Sequence, residues 1–102
     1  MGSFEFQVLT AIENGRGHAY GVSIRRFIME KYSKAASYGA LYTTLSRLEK
    51  KGFFVSRMGS PSSVRGGRRK KFYKLSSVGV TSLSEFRAEM KSMISLAGVS
   101  HV

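Results

Sequence analysis

Positive charge is concentrated in one stretch of this 102-residue chain. Between Arg47 and Lys74, ten Lys and Arg side chains are opposed by a single acidic residue, Glu49. This stretch carries a net charge of +9 out of +11 for the whole chain, and the remaining residues are nearly balanced. Guanidinium and ammonium groups bind phosphate oxygens, so a patch of this kind is typical of proteins that bind a polyanion. The charge pattern favours nucleic acid as the partner, with an anionic membrane surface as the alternative.

No set of side chains has the pattern of a catalytic or metal-binding site. The chain has no cysteine, which excludes disulfides and thiolate metal ligands. His18 and His101 are far apart in the sequence and have no accompanying carboxylates that would suggest general-base or metal chemistry. No nucleophile–base pair, phosphate-binding P-loop or carboxylate pair stands out. We therefore predict a binding protein and not an enzyme, with no metal and no cofactor.

Nothing in the sequence indicates export or insertion into a membrane. The N-terminal segment MGSFEFQVLTAIENG lacks the basic region, long apolar core and cleavage site of a signal peptide. No apolar run approaches the roughly 18–20 residues that a membrane-spanning helix needs. The absence of cysteine also fits a reducing compartment. These observations predict a soluble, cytoplasmic protein.

Apolar residues recur at helical spacing in the first half of the chain and predict three helices. The first helix is capped by Ser3 and ends near Asn14-Gly15, and the second covers AYGVSIRRFIMEKY. The third is capped by Ser37 and ended by Gly52. Its core stripe consists of Leu41, Leu45 and Leu48. Its predicted outer surface is small or polar and consists of Thr43, Thr44, Ser46 and Arg47.

After Gly52 the pattern changes to two short segments with β propensity. FFVSR and RKKFYKL are joined by GSPSSVRGGR, which contains the only proline of the chain. This arrangement predicts a β-hairpin with a long tip. Alternation along the second strand places Tyr73 and Leu75 inward. The outward residues of that strand are Lys70, Phe72 and Lys74.

A last helix is predicted over residues 77–97, with Ser76 as its N-cap. Apolar residues recur along it at intervals of three and four, the spacing of a helix that pairs with another helix. These residues are Leu83, Phe86, Met90, Met93 and Ala97. The stripe could instead cover the core of its own domain. A partner helix is favoured because the hairpin already closes the three-helix core.

The predicted order α-α-α-β-β-α corresponds to a mainly α fold with a small β-hairpin (α+β), a winged helix-turn-helix. Residues 1–76 would form the DNA-binding domain, and residues 77–102 would form a dimerisation helix within the same compact domain. The third helix would enter the major groove of double-stranded DNA, and the hairpin tip would contact the flanking backbone or the minor groove.

Three other functions remain open at this point. A winged helix can serve protein–protein contact, but that use predicts an apolar or mixed-charge third helix. RNA binding is not excluded, although Phe72 is the clearest of few outward aromatic residues available for base stacking. Membrane-surface binding is disfavoured because the last helix has only two Lys or Arg residues and the chain has no tryptophan.

Three segments together resemble the winged-helix domain of PadR-type bacterial transcriptional regulators. They are AYGVSIRRFI, SYGALYTTLSRLEKKGFFVSR and RGGRRKKFYKLSSVG. The resemblance runs from about Phe4 into the last helix and is closest to the short members of the family. It implies a homodimer that binds a palindromic operator and usually represses its target. An effector can bind near the dimer interface in this family, but without tryptophan a pocket that sandwiches a flat drug between indole rings is not expected.

The resemblance also implies which residues contact DNA and which contact the second subunit. The DNA contacts on the second and third helices are Tyr20, Gly21, Ser37, Tyr38, Gly39, Tyr42, Thr43 and Arg47. Those at the wing tip are Arg65, Gly66, Gly67, Arg68 and Arg69. The outward surfaces of the third helix and the hairpin add Thr44 and Lys70 to this set. The dimer contacts are Phe4, Leu83, Phe86, Met90, Met93 and Ala97.

Overall fold

The fold is described from a computed structural model, which covers residues 1–34, 36–60 and 69–98. Its elements are α1 (Ser3–Gly15), α2 (Gly21–Tyr32), α3 (Tyr38–Lys50), β1 (Phe54–Met58), β2 (Lys71–Leu75) and α4 (Ser77–Leu96). This order confirms the predicted mainly α fold with one β-hairpin.

Two of the three predicted serine caps are confirmed. The Ser37 hydroxyl accepts the Ala40 N–H at 3.1 Å, and the Ser76 hydroxyl accepts the Gly79 N–H at 3.0 Å. The prediction that Ser3 caps α1 is wrong, because Ser3 is the first residue of the helix and Gly2 is its N-cap. The Gly2 N–H donates instead to Glu5 Oε1 at 3.2 Å. The carboxylate that satisfies the start of the helix therefore comes from a residue in its first turn.

Gly52 ends α3 as predicted, by adopting a left-handed backbone conformation with φ of +76°. The Gly52 N–H donates to Glu49 O at 2.9 Å, and the Phe53 N–H donates to Leu48 O at 3.1 Å. These two bonds form a Schellman motif, which satisfies carbonyls at the helix end and turns the chain directly into β1.

β1 and β2 pair antiparallel, with Phe54 opposite Leu75 and Met58 opposite Lys71. As predicted, Tyr73 is buried and Leu75 packs against the core. The sequence did not predict a third partner of the hairpin. The Tyr73 N–H donates to Ala19 O at 2.8 Å, which joins the loop between α1 and α2 to β2.

One apolar core joins all six elements and includes α4 through Leu83, which is fully buried. The structure therefore corrects the assignment of Leu83 to a dimer contact, because this side chain packs on its own chain and cannot contact a partner. Beyond Phe86 the helix leaves the core, and residues 87–98 are all exposed. No helix in the described part of the chain is long and apolar enough to span a bilayer.

Candidate nucleic-acid interface

The outermost line of α3 consists of small or flexible polar residues. Gly39, Thr43, Ser46 and Lys50 follow one another at helical spacing, and all four are exposed. They lie opposite the stripe of Leu41, Leu45 and Leu48, which is buried. We call these four residues the α3 outer line. A helix with such a slim outer line can enter a groove without its side chains holding the backbone away.

Thr44 does not belong to this surface, contrary to the sequence prediction. It is 4 % exposed, because it lies three residues after Leu41 and four before Leu48, on the face that packs into the core. Its hydroxyl lies 3.3 Å from the Arg47 guanidinium, which donates to it. Thr44 thus orients a neighbouring side chain and is not accessible to a large ligand.

Arg47 is directed towards α1. Its Nε lies 3.5 Å from Glu5 Oε2, and the Lys51 ammonium group lies 3.4 Å from the same oxygen. Burial alone would raise the pKa of Glu5, but the Gly2 N–H and the charges of Lys51 and Arg47 together hold that pKa below its ordinary value. The Arg47 side chain remains 55 % exposed, so it lies at the edge of the α3 surface with part of its charge compensated.

On the opposite edge of α3, two exposed tyrosines stack on each other. The ring centroids of Tyr38 and Tyr42 are 6.3 Å apart. The Arg25 guanidinium of α2 lies 4.9 Å from the Tyr38 ring, and its Nε donates to Ala36 O at 2.8 Å. No sequence pattern links Arg25 to Tyr38, so sequence reasoning missed this side chain.

Tyr42 also joins α3 to the start of α2. Its hydroxyl lies against Gly21 so closely that a Cβ at position 21 would overlap it. Gly21 is buried beneath this hydroxyl, which explains its lack of a side chain. The structure therefore corrects the expectation that Gly21 itself contacts DNA. Tyr20, the N-cap of α2, directly precedes this contact between Gly21 and Tyr42.

Tyr20 in turn contacts the base of the hairpin. The Lys70 ammonium group lies 4.3 Å from the Tyr20 ring centroid, and the Phe72 ring meets Tyr20 edge-on at 6.0 Å. A chain of contacts thus links Tyr42, the buried Gly21, Tyr20 and Lys70, so the start of α2 joins α3 to the base of the hairpin. Arg69, next to Lys70, is exposed. The remaining predicted wing residues, Arg65, Gly66, Gly67 and Arg68, lie outside the described residues.

The predicted dimer residues divide into two groups. Phe4 and Phe86 are half-buried, with the Phe86 ring 5.3 Å from Phe6 of α1. Met90 and Met93 are 38 % and 65 % exposed, and Ala97 is exposed as well. A bidentate ion pair between Arg87 and Glu13, at 2.8 and 3.1 Å, holds α4 against α1 just before this exposed segment.

Three helices followed by an antiparallel hairpin, with the hairpin base beside the start of α2 and the third helix, define a winged helix-turn-helix protein. The family model described as "Transcriptional regulator PadR-like family" matches residues 8–85. The chain belongs to this family. Its members are transcriptional regulators and not enzymes, in agreement with the sequence prediction.

Solved structures with the same fold come from several bacteria. A PadR-like transcription factor from Bacteroides fragilis has 22% identity and a TM-score of 0.78, over 93% of this chain and 86% of the other. A PadR family regulator from Clostridium difficile R20291 has 22% identity and a TM-score of 0.77, over 95% of this chain and 96% of the other. Bacillus subtilis PadR, solved in complex with operator DNA, has 21% identity and a TM-score of 0.69, over 82% of this chain and 46% of that one. No curated protein matches the sequence significantly.

Proposed function

We propose that this protein is a sequence-specific DNA-binding transcriptional regulator that binds a palindromic operator as a homodimer. In each subunit the α3 outer line faces the base edges of a major groove, and Tyr20 and Lys70 face the backbone beside it. The observation that carries this proposal is the set of contacts from Tyr42 through Gly21 and Tyr20 to Lys70, which places the exposed face of α3 beside the basic hairpin. The operator complex of Bacillus subtilis PadR, which has a similar fold, supports the same partner here.

The exposed end of α4 supports the homodimer. Met90, Met93, Ile94 and Leu96 are apolar and exposed in the single chain, with Leu96 86 % exposed. A second copy of α4 would cover them and hold two α3 helices at the spacing of successive major grooves, about 34–36 Å. Residues 1–76 thus bind DNA, and residues 77–102 join the subunits. Repression by occlusion of RNA polymerase, an effector site between subunits and a cytoplasmic location complete the proposal.

The two alternative partners are less well supported. The α3 outer line contains no apolar residue and no acid, whereas a protein-binding helix would need an apolar or mixed-charge face. For RNA binding, the Phe72 ring would have to stack on bases, yet it already contacts Arg57, His18 and Tyr20. Both observations favour duplex DNA.

We expect the operator affinity to depend steeply on salt. If each subunit neutralises about three or four phosphates, log K should fall against log salt concentration with a slope of roughly −5 to −7. Selection of bound sequences from a random duplex pool supplies the operator, and fluorescence anisotropy across a salt series supplies the slope. A pool that yields no enriched palindrome, or a slope near −1, would contradict the proposal.

Base-reading and phosphate-binding residues should respond differently to truncation. Thr43→Ala should cost about 1–3 kcal/mol on the selected operator and relax its sequence preference. Lys70→Ala should weaken operator and random duplex about equally and make the salt slope less negative by about one per subunit. Binding to both duplexes is measured for both variants. Unchanged preference in Thr43→Ala would mean that α3 is oriented differently in the groove.

A further inference from the structure

A basic recess lies on the outer face of the hairpin, the face directed away from α3. Its volume is about 290 Å³. Val55 and Phe72 form its apolar floor. The rim is formed by the cationic or titratable side chains of Arg16, His18, Arg57 and Lys74. We call this feature the wing recess. No acidic residue lines it.

Arg57 is held in position inside the wing recess. Its guanidinium lies 4.7 Å from the Phe72 ring centroid and donates a hydrogen bond to Gly17 O at 3.3 Å. The His18 ring meets the same phenylalanine edge-on at 6.2 Å. A guanidinium fixed by a ring and a carbonyl keeps N–H donors for an anion, and it loses little side-chain freedom on binding one.

The positive charge of the wing recess is not compensated within the described part of the chain. The ion pairs there involve Arg47, Lys51, Lys71 and Arg87, and none includes a rim residue of the recess. Glu49, the carboxylate nearest the hairpin, lies on its other face, 3.9 Å from Lys71 and within hydrogen-bond distance of Ser56. The recess therefore presents three formal charges, those of Arg16, Arg57 and Lys74, to an external anion.

The wing recess is continuous with the surface assigned to DNA. Phe72 forms part of its floor and also contacts the Tyr20 ring. The Lys70 ammonium group lies over the same ring. The outward residues of the hairpin thus join the wing recess to the contact between Lys70 and Tyr20.

We propose that the wing recess binds backbone phosphates of duplex DNA outside the operator half-site. The inference rests on the proposed function and deepens it, since it assigns Arg16, Arg57 and Lys74 a ligand and lengthens the footprint of each subunit. Such contacts carry no sequence information; they fix the position of the protein on the duplex and add to affinity.

The test compares two lengths of the selected operator. A short duplex of about 20 bp covers both half-sites, and a long duplex adds about one helical turn of 10 bp on each side. The double variant Arg16→Gln/Lys74→Gln removes two exposed cations that make no ion pair in the described chain. It should bind the short duplex as the wild type does. On the long duplex it should bind about tenfold more weakly, with a salt slope less negative by about two per subunit.

Two further variants make the comparison specific. Lys31→Ala removes an exposed cation at the end of α2 and should leave the affinity for both duplexes unchanged. Arg57→Gln removes the positioned guanidinium and should reproduce the length-dependent loss, with its thermal unfolding curve checking that the hairpin has remained folded.

The outcomes separate the two proposals. Wild-type protein that binds neither duplex contradicts the proposed function itself. Wild-type protein that binds both lengths equally, or variants that weaken both lengths equally, contradicts only the wing recess assignment. The assignment is also overturned if AMP shifts the NMR signals of His18 and Phe72 while duplex length has no effect, because the phosphate ligand would then be a small molecule.

Discussion

Gly79→Ala is expected to lower the free energy of unfolding by about 2 kcal/mol, a large fraction of the stability of a domain of this size. A Cβ at position 79 would overlap the backbone carbonyl oxygen of Phe53. That carbonyl cannot rotate away, because it also accepts the Ser76 N–H at 3.1 Å. The start of α4 and the start of the hairpin would therefore separate. Thermal unfolding at fixed protein concentration should show a midpoint roughly 10 °C lower.

Gly39→Ala is the matched control for this substitution. Gly39 also lies in a helix, but a Cβ there would meet only the Ser37 hydroxyl, at 3.8 Å. Replacing an exposed helical glycine by alanine should raise the free energy of unfolding by about 0.5–1 kcal/mol. The same change in side chain should thus have opposite signs at the two positions. An unfolding midpoint of Gly79→Ala equal to that of the wild type would show that α4 does not pack on Phe53 as described.

Met93→Glu is expected to convert the proposed dimer into monomers and to reduce operator affinity by about 100-fold or more. Met93 is 65 % exposed and lies on the same line of α4 as Met90 and Ala97. A carboxylate there would have to be buried against the apolar residues of the partner helix, which is costly. Without the dimer, the two half-sites are bound independently and the gain from linked binding is lost.

Ala88→Glu adds the same charge to the side of α4 opposite to Met90 and Met93 and serves as the control. Ala88 is exposed and is not a helical neighbour of any of the exposed apolar residues, so this variant should remain dimeric and bind the operator. Sedimentation velocity gives the oligomeric state, and anisotropy gives the affinity. Wild-type protein that sediments as a monomer at micromolar concentration would refute the role assigned to α4.

The helices and the hairpin could be predicted because their signals are local. Ser37 and Ser76 each cap the helix that begins at the next residue. Gly52 ends the helix that carries the leucine stripe, and alternation along β2 identifies Tyr73 as inward. Each of these depends on residues within a few positions of each other. The order of the elements then limits the fold to a few arrangements, of which the winged helix is one.

The remaining features depend on contacts between residues that are distant in sequence. Thr44 was expected on the surface because threonine is polar. It lies instead on the same helix face as Leu41 and Leu48, which packs into the core. Leu83 belongs to an apolar stripe with the spacing of a helix that pairs with another helix. In the structure, however, its side chain fills the core of its own chain. The wing recess combines Arg16 with Arg57 and Lys74, and no spacing rule connects three separate segments.

The exposure of the last turns of α4 limits the stability of this part of the helix. From Ala88 to Leu96 every residue is exposed, and a helical segment of this length is only marginally stable without packing. Whatever molecule covers these turns must also supply the free energy that keeps them helical. In the proposed dimer, association through α4 would therefore be weaker than the apolar area of these turns alone suggests.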